Sequence, residues 1–223
     1  TIFIVIWLLL ACFPFIWTFW GSFKVRADFF SRADWWYAIT AFNTLIETGA
    51  SFTKEAYSGA WFEGEFWKAS RNTVIVTISV VSISLFLGTL GAYALSRSTK
   101  NYAFWILIIA LIFRAMPHIT LVSGYLFPFF QLQIWGILPT TIVVLVAINQ
   151  PFTLWLLYSF FKTVPKELDE SALIDGCSYF QAFRHIIMPV MWPGVITAGL
   201  FSLMLAHNDF TVTALLLNQE NHT

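Results

Sequence analysis

Long apolar stretches alternate with polar ones along this chain, at residues 2–20, 72–95, 102–130, 137–161 and 192–207. A membrane-crossing helix takes roughly 20 predominantly apolar residues, so the pattern predicts five spans. A backbone in lipid must satisfy its own polar groups, which excludes open sheets from them. Pro14, Pro117 and Pro151 fall inside these runs and are expected to kink or break them. Gly88, Gly91 and Ala92 in the second run leave room for another helix to approach closely. Residues 21–68 are polar and dense in aromatic side chains, which predicts an outer loop near the lipid headgroups. The turn Ser96–Asn101 holds Arg97 and Lys100 without an acid, which places it in the cytoplasm. By alternation residues 162–190 lie on that side, and Trp36 lies on the other. The first run lacks a basic leader and a small-residue cleavage site, so it reads as a span and not a signal peptide. The chain starts with Thr and shows five spans, so a short cytoplasmic start and a sixth span are expected to be missing.

The one long polar interruption that reads as a docking surface runs KTVPKELDESALIDGCSYFQAFRHIIMPVMWP, from Lys162 to Pro193. Pro165 suits a first helical turn, and Lys166 to Ile174 are mostly good helix formers. Gly176 is placed for a left-handed cap. Ser178 and Gln181 have capping-box spacing for a second short helix, which Pro189 is expected to stop. Two short helices between spans would form a knob suited to pushing, or being pushed by, a soluble partner.

Glu170-Ser171-Ala172, Gly176 and Ile186-Ile187-Met188-Pro189 at this spacing resemble the EAA signature of permease subunits of bacterial ATP-binding-cassette importers. Ser171 replaces the second small residue and Met188 replaces Leu. The similarity extends to Ala92-Tyr93-Ala94-Leu95-Ser96-Arg97, Asn208-Asp209-Phe210 and Ser22-Phe23-Lys24, nearly the whole chain, and points to the sugar-importer branch, as the second permease of the maltose type. The resemblance implies an all-α membrane protein, a polytopic helical bundle of the type I importer-permease kind, multi-pass in the bacterial cytoplasmic (inner) membrane. It implies that Glu170, Ser171, Ala172, Asp175 and Gly176 couple the chain to an ATPase dimer, which binds the ATP and magnesium. It also implies a second homologous permease, and an extracytoplasmic solute-binding protein that delivers a sugar or sugar derivative.

Composition agrees with a lipid environment. Hydrophobic residues make up 58 % and charged ones 11 %, against about 25 % charged in ordinary soluble domains. The formal net charge is zero, so bulk electrostatics suggest no nucleic-acid partner. Cys12 and Cys177 should lie at different membrane depths, so no disulfide is implied. No Asp or Glu occurs from residue 66 to residue 166, whereas ion-coupled carriers often use membrane-embedded carboxylates. No Gly-x-x-x-x-Gly-Lys-Ser/Thr loop cradles a nucleotide. The chain therefore reads as a transport subunit without catalytic residues, energised by a separate ATPase. An ion-coupled secondary transporter and a non-transporting membrane scaffold are the alternatives; the first accounts for neither the capped loop nor the missing acids, and the second would be favoured by a loop that binds a partner without ATP-dependent flux.

Candidate path residues are the polar ones at membrane depth. Arg114 falls about 18 Å into the third span at helical rise. It either contacts substrate or caps carbonyls freed by Pro117, and His118, one turn on, can share either role. A metal site is not expected, since His118 has no second ligand nearby. Asn149 and Gln150 beside Pro151 offer hydrogen bonds to a sugar hydroxyl or to a neighbouring helix. Asn208 and Asp209 follow His207 at the end of the fifth span. An Arg114 that faces the path would favour an anionic sugar derivative. The Asn221-His222-Thr223 sequon carries no weight in a bacterial chain.

Overall fold

The structure, a computed structural model, describes residues 2–23 and 55–217. Lys24, Trp36, most of the expected outer loop and the Asn221–Thr223 sequon lie outside the described residues. The chain divides into two compact units, residues 1–67 and 68–223.

In the first unit, helix α1 spans Ile2–Gly21 and runs through Pro14 without a break. One proline removes one hydrogen bond, and a helix in lipid keeps the others because it has no better partners. No side chain between Ile2 and Phe19 is buried. Helix α2, Glu55–Ser58, continues into a π-helical turn at Gly59–Glu63. The Tyr57 and Ser22 hydroxyls stand 2.6 Å apart, which ties α2 to the end of α1.

The second unit is a helical bundle, with no strand among the described residues. Helix α3, Phe66–Arg97, has 32 residues, about 48 Å at 1.5 Å per residue, and so exceeds a hydrocarbon core of ~30 Å. Its buried positions include Asn72, Val76, Val80, Ser84, Gly88, Ala92 and Ser96, a ridge at i, i+4 of mostly small residues. At Gly88 a Cβ would meet Thr153 Cγ2 at 3.1 Å and Leu157 Cδ1 at 3.2 Å, so this glycine permits the close approach its sequence suggests.

Helices α4, Tyr102–Ala115, and α5, His118–Gln131, occupy the stretch expected to be the third span, but they meet at 89°. Met116 is extended (ψ 145°), as a residue before proline prefers, and Pro117 begins the next helix. Each half has 14 residues, about 21 Å, and is too short to cross alone. Helix α6, Leu138–Thr163, passes unbroken through Pro151 and packs against both α4 and the helix that follows the polar loop. Of the three expected proline breaks, only the one at Pro117 occurs.

Helix α7, Glu167–Ile174, is the short helix of the polar loop. Its expected companion is not separate. Helix α8 runs from Tyr179 to Asn208, 30 residues, so Pro189 does not stop it. A π-helical turn at Phe183–Ile187 immediately precedes Met188-Pro189. Such a turn changes the hydrogen-bond register, and the proline's missing donor falls at that change. A last helix, α9, Phe210–Leu216, is joined to the α5–α6 loop by hydrogen bonds from Gly136 N to Leu216 O (3.1 Å) and from Trp135 Nε1 to Leu215 O (3.1 Å).

Two apolar clusters fill the bundle. One joins Val76, Val80, Val122, Val144, Ile148, Val212 and Leu216, and the other joins Ala92, Leu157, Phe161, Phe183, Ile187 and Met191. In α6 the polar residues Asn149 and Thr153 fall between its contributions to the two.

Candidate functional site

The polar loop is built by local signals. Cys177 N donates to Ala172 O (3.0 Å) and Gly176 N to Leu173 O (3.1 Å), the paired bonds of a Schellman cap. Gly176 takes φ +86°, which an L-residue with a Cβ adopts only at a cost. Gln181 N donates to Ser178 Oγ at 3.3 Å, and Ser178 N to Gln181 Oε1 at 2.8 Å, completing the capping box.

The signature residues divide between two faces of α7. Glu170, Ser171, Asp175 and Gly176 are exposed, whereas Ala172 is 1 % exposed and serves packing. Ile174, at 87 % exposure, joins the exposed face, with Tyr179 and Phe180 beyond the cap. Ile174 thus stands bare beside Glu170, Ser171 and Asp175. Sequence reading passed over Ile174, because its place on the exposed face depends on which way α7 docks.

Asp169 was also passed over. It is buried at 9 %, and its Oδ1 accepts a hydrogen bond from the Tyr93 hydroxyl at 2.5 Å. Arg97 Nε lies 2.8 Å from Asp169 Oδ2, and Arg97 Nη1 donates to Phe161 O (3.3 Å) and Val164 O (2.9 Å).

At the other polar centre, helix interruptions converge. Arg114 lies in the last turn of α4, His118 begins α5, and Asp209 lies between α8 and α9. Arg114 Nη1 contacts His118 Nε2, and His118 Nδ1 lies 2.8 Å from Asp209 Oδ2. Asp209 Oδ1 also accepts from Val212 N at 3.1 Å and so caps α9. A cavity of about 410 Å³ opens here, lined by Arg114, His118, Phe152, Phe201, Asn208 and Asp209 among others. The Phe152 and Phe201 rings meet edge to face at 5.9 Å. Irregular backbone at membrane depth is tolerated where it is enclosed by protein or lines such a cavity.

Asn149 and Gln150 are placed differently. Asn149 is 4 % exposed, and its Nδ2 donates to Ser202 Oγ (2.7 Å) and Ser202 O (3.2 Å), which ties α6 to α8. It also lines a small void of about 20 Å³ together with Arg114, His118 and Asp209. Gln150 turns toward α3, its Nε2 being 3.3 Å from where a Cβ on Gly88 would stand. No cluster of three or more metal-ligating side chains occurs among the described residues.

An all-helical bundle with, among the described residues, four helices long and apolar enough to cross a membrane, one broken helix pair and a capped polar loop is the architecture of a multi-pass membrane protein. Residues 81–221 match the family described as binding-protein-dependent transport system inner membrane component, and the chain belongs to that family. It is 29 % identical to the diacetylchitobiose uptake system permease protein NgcG of Streptomyces coelicolor, over 93 % of this chain and 65 % of that one. It is 30 % identical to DasC of the same organism, also a diacetylchitobiose uptake permease, over 93 % of this chain and 71 % of that one. The trehalose/maltose transport system permease protein MalG of Thermococcus litoralis is 34 % identical over 63 % of this chain and half of its own. The chain thus spans about two thirds of the length of the first two relatives. The fold matches a crystal structure of a bacterial ABC transporter that imports the acidic polysaccharide alginate, with TM-score 0.77, 20 % identity, and coverage of 99 % of this chain and 73 % of that one. Family membership decides against the ion-coupled and scaffold alternatives.

Proposed function

We propose that this chain forms half of the translocation path of an ATP-driven sugar importer in a bacterial inner membrane. A second, homologous permease faces the cavity from the other side, and an extracytoplasmic binding protein delivers the sugar. The chain itself hydrolyses nothing. ATP and magnesium are bound by an ATPase dimer that docks on the exposed face of α7, at Glu170, Ser171, Ile174, Asp175 and Gly176, on the cytoplasmic side. The named sugar permeases among its relatives support the substrate class.

The observation that carries the substrate reading is the cavity wall, where a chain of polar side chains stands beside two aromatic rings. Sugars take hydrogen bonds at their hydroxyls and ring contact on their apolar faces. Arg114 is not free to neutralise an anion, because it leans on His118, which leans on Asp209. The formal charges of Arg114 and Asp209 offset each other, so the wall fits a neutral sugar better than the anionic one that an isolated Arg114 would favour. Uptake by the assembled importer tests this. Asp209→Asn should lower neutral-sugar uptake about tenfold, the worth of one charge-assisted hydrogen bond. Unchanged uptake with both Asn208 and Asp209 replaced by Ala would remove the cavity from the path.

A further inference from the structure

The docking face of α7 cannot move the spans unless its opposite face is fixed to them, and that face holds few groups. Asp169 and Ala172 are its buried residues. The Ala172 side chain has no polar group, so Asp169 carries the directional attachment. Its carboxylate reaches two residues one turn apart on α3: Tyr93 at Oδ1, 2.5 Å, and Arg97 at Oδ2, 2.8 Å.

Arg97 is itself shared. It closes the last turn of α3, where a cation complements the helix C-terminus, and Nη1 donates to the Phe161 and Val164 carbonyls at the end of α6. Those carbonyls lie in the last turn, where a helix leaves acceptors without intrahelical partners. The guanidinium also stands 5.6 Å from the centre of the Tyr93 ring. That ring packs on Phe161 of α6 at 5.7 Å and on Phe183 of α8 at 4.8 Å. Phe183 begins the π-helical turn of α8. Three side chains thus bind α7 to the ends of α3, α6 and α8.

We propose that Tyr93, Arg97 and Asp169 form a latch that makes α7 and these helix ends one rigid body, so that the three act as positioning residues for ATP-driven transport without touching ATPase or sugar. This rests on the reading of α7 as the ATPase docking helix. The exposed signature residues would then receive the force, and the buried carboxylate would pass it on. Buried ion pairs add little net stability, while breaking one leaves an uncompensated charge, so what this one contributes is a fixed geometry.

The test uses the complete importer in proteoliposomes, with assembly, ATP hydrolysis and sugar uptake measured on the same preparation. Tyr93→Phe removes one hydroxyl and keeps the ring, and Asp169→Asn removes the charge and keeps the size. Both complexes should retain the ATPase subunit and hydrolyse ATP, while sugar moved per ATP falls about tenfold, within the usual range of coupling between two sites. Asp169→Glu, which restores the charge, should recover part of the ratio. An unchanged ratio in Tyr93→Phe overturns the latch, whatever the other variants do. If Asp169→Asn fails to assemble, the Tyr93→Phe ratio alone decides. A wild-type chain that brings down no ATPase subunit would instead defeat the docking reading on which the latch rests.

Discussion

Gly176 shows how much one backbone angle can decide. It stands at φ +86° with nothing within 4 Å of where a Cβ would sit, so a substitution there meets strain but no clash. Alanine should cost about 1–2 kcal/mol, the left-handed penalty of an L-residue, and valine more. We expect Gly176→Val to leave the bundle folded and lose ATP-linked uptake, because the angle between α7 and α8 sets where the docking face points. Normal uptake by that variant would count against the docking role of α7. Asn149 makes the opposite case. Its bonds to Ser202 mark it as a tie between α6 and α8, so Asn149→Ala should lower thermal stability by about 0.6–1.7 kcal/mol and leave sugar affinity unchanged. A drop in affinity without a drop in stability would favour a place for Asn149 in the path. Gly176 was legible in the sequence because a cap is decided within a few residues. Asp169 was not, since nothing local distinguishes an inward acid from its outward neighbour Glu170, and its partners Tyr93 and Arg97 lie on another helix.

Among the helices, what sequence reading foresaw and what it missed separate by how locally each feature is determined. The Schellman cap and the capping box needed only neighbouring residues and formed as expected. The prolines did not act alike, although each lacks the same donor. Pro14 and Pro151 sit inside continuous helices, Pro189 follows a π-helical turn, and Pro117 accompanies a bend of 89°. The difference at Pro117 is tertiary: the residues on either side of it, Arg114 and His118, are drawn toward Asp209 at another helix break. That account predicts the behaviour of Pro117→Ala. With the constraint on Met116 removed but the polar chain kept, the bend should persist, and spin labels on α4 and α5 should keep their separation. In the double variant Pro117→Ala with Asp209→Ala the labels should move apart as the two halves straighten. Straightening in the single variant would assign the bend to the proline alone.

For the molecule as a whole, the long apolar runs were enough to read an all-helical membrane fold. They could not show which faces meet lipid and which meet another chain. Helix α1 buries no side chain between Ile2 and Phe19, and Ile174, Tyr179 and Phe180 are bared at the polar loop. Sidedness can be tested with the two native thiols. Cys177 is half-exposed between the α7 cap and α8, and Cys12 lies in the apolar run of α1. The labelling is read against variants in which Cys12 or Cys177 is replaced by Ser. If α7 faces the cytoplasm, as the Arg97 and Lys100 turn indicates, a membrane-impermeant maleimide should label Cys177 in inside-out vesicles and not in right-side-out ones. Cys12 should stay unlabelled in both, because a charged reagent does not enter hydrocarbon. Adding the ATPase subunit to the inside-out vesicles should then slow labelling of Cys177, since the docking face of α7 ends one residue before it. Labelling from the outside alone would invert the topology and place the ATPase docking surface on the wrong side of the membrane.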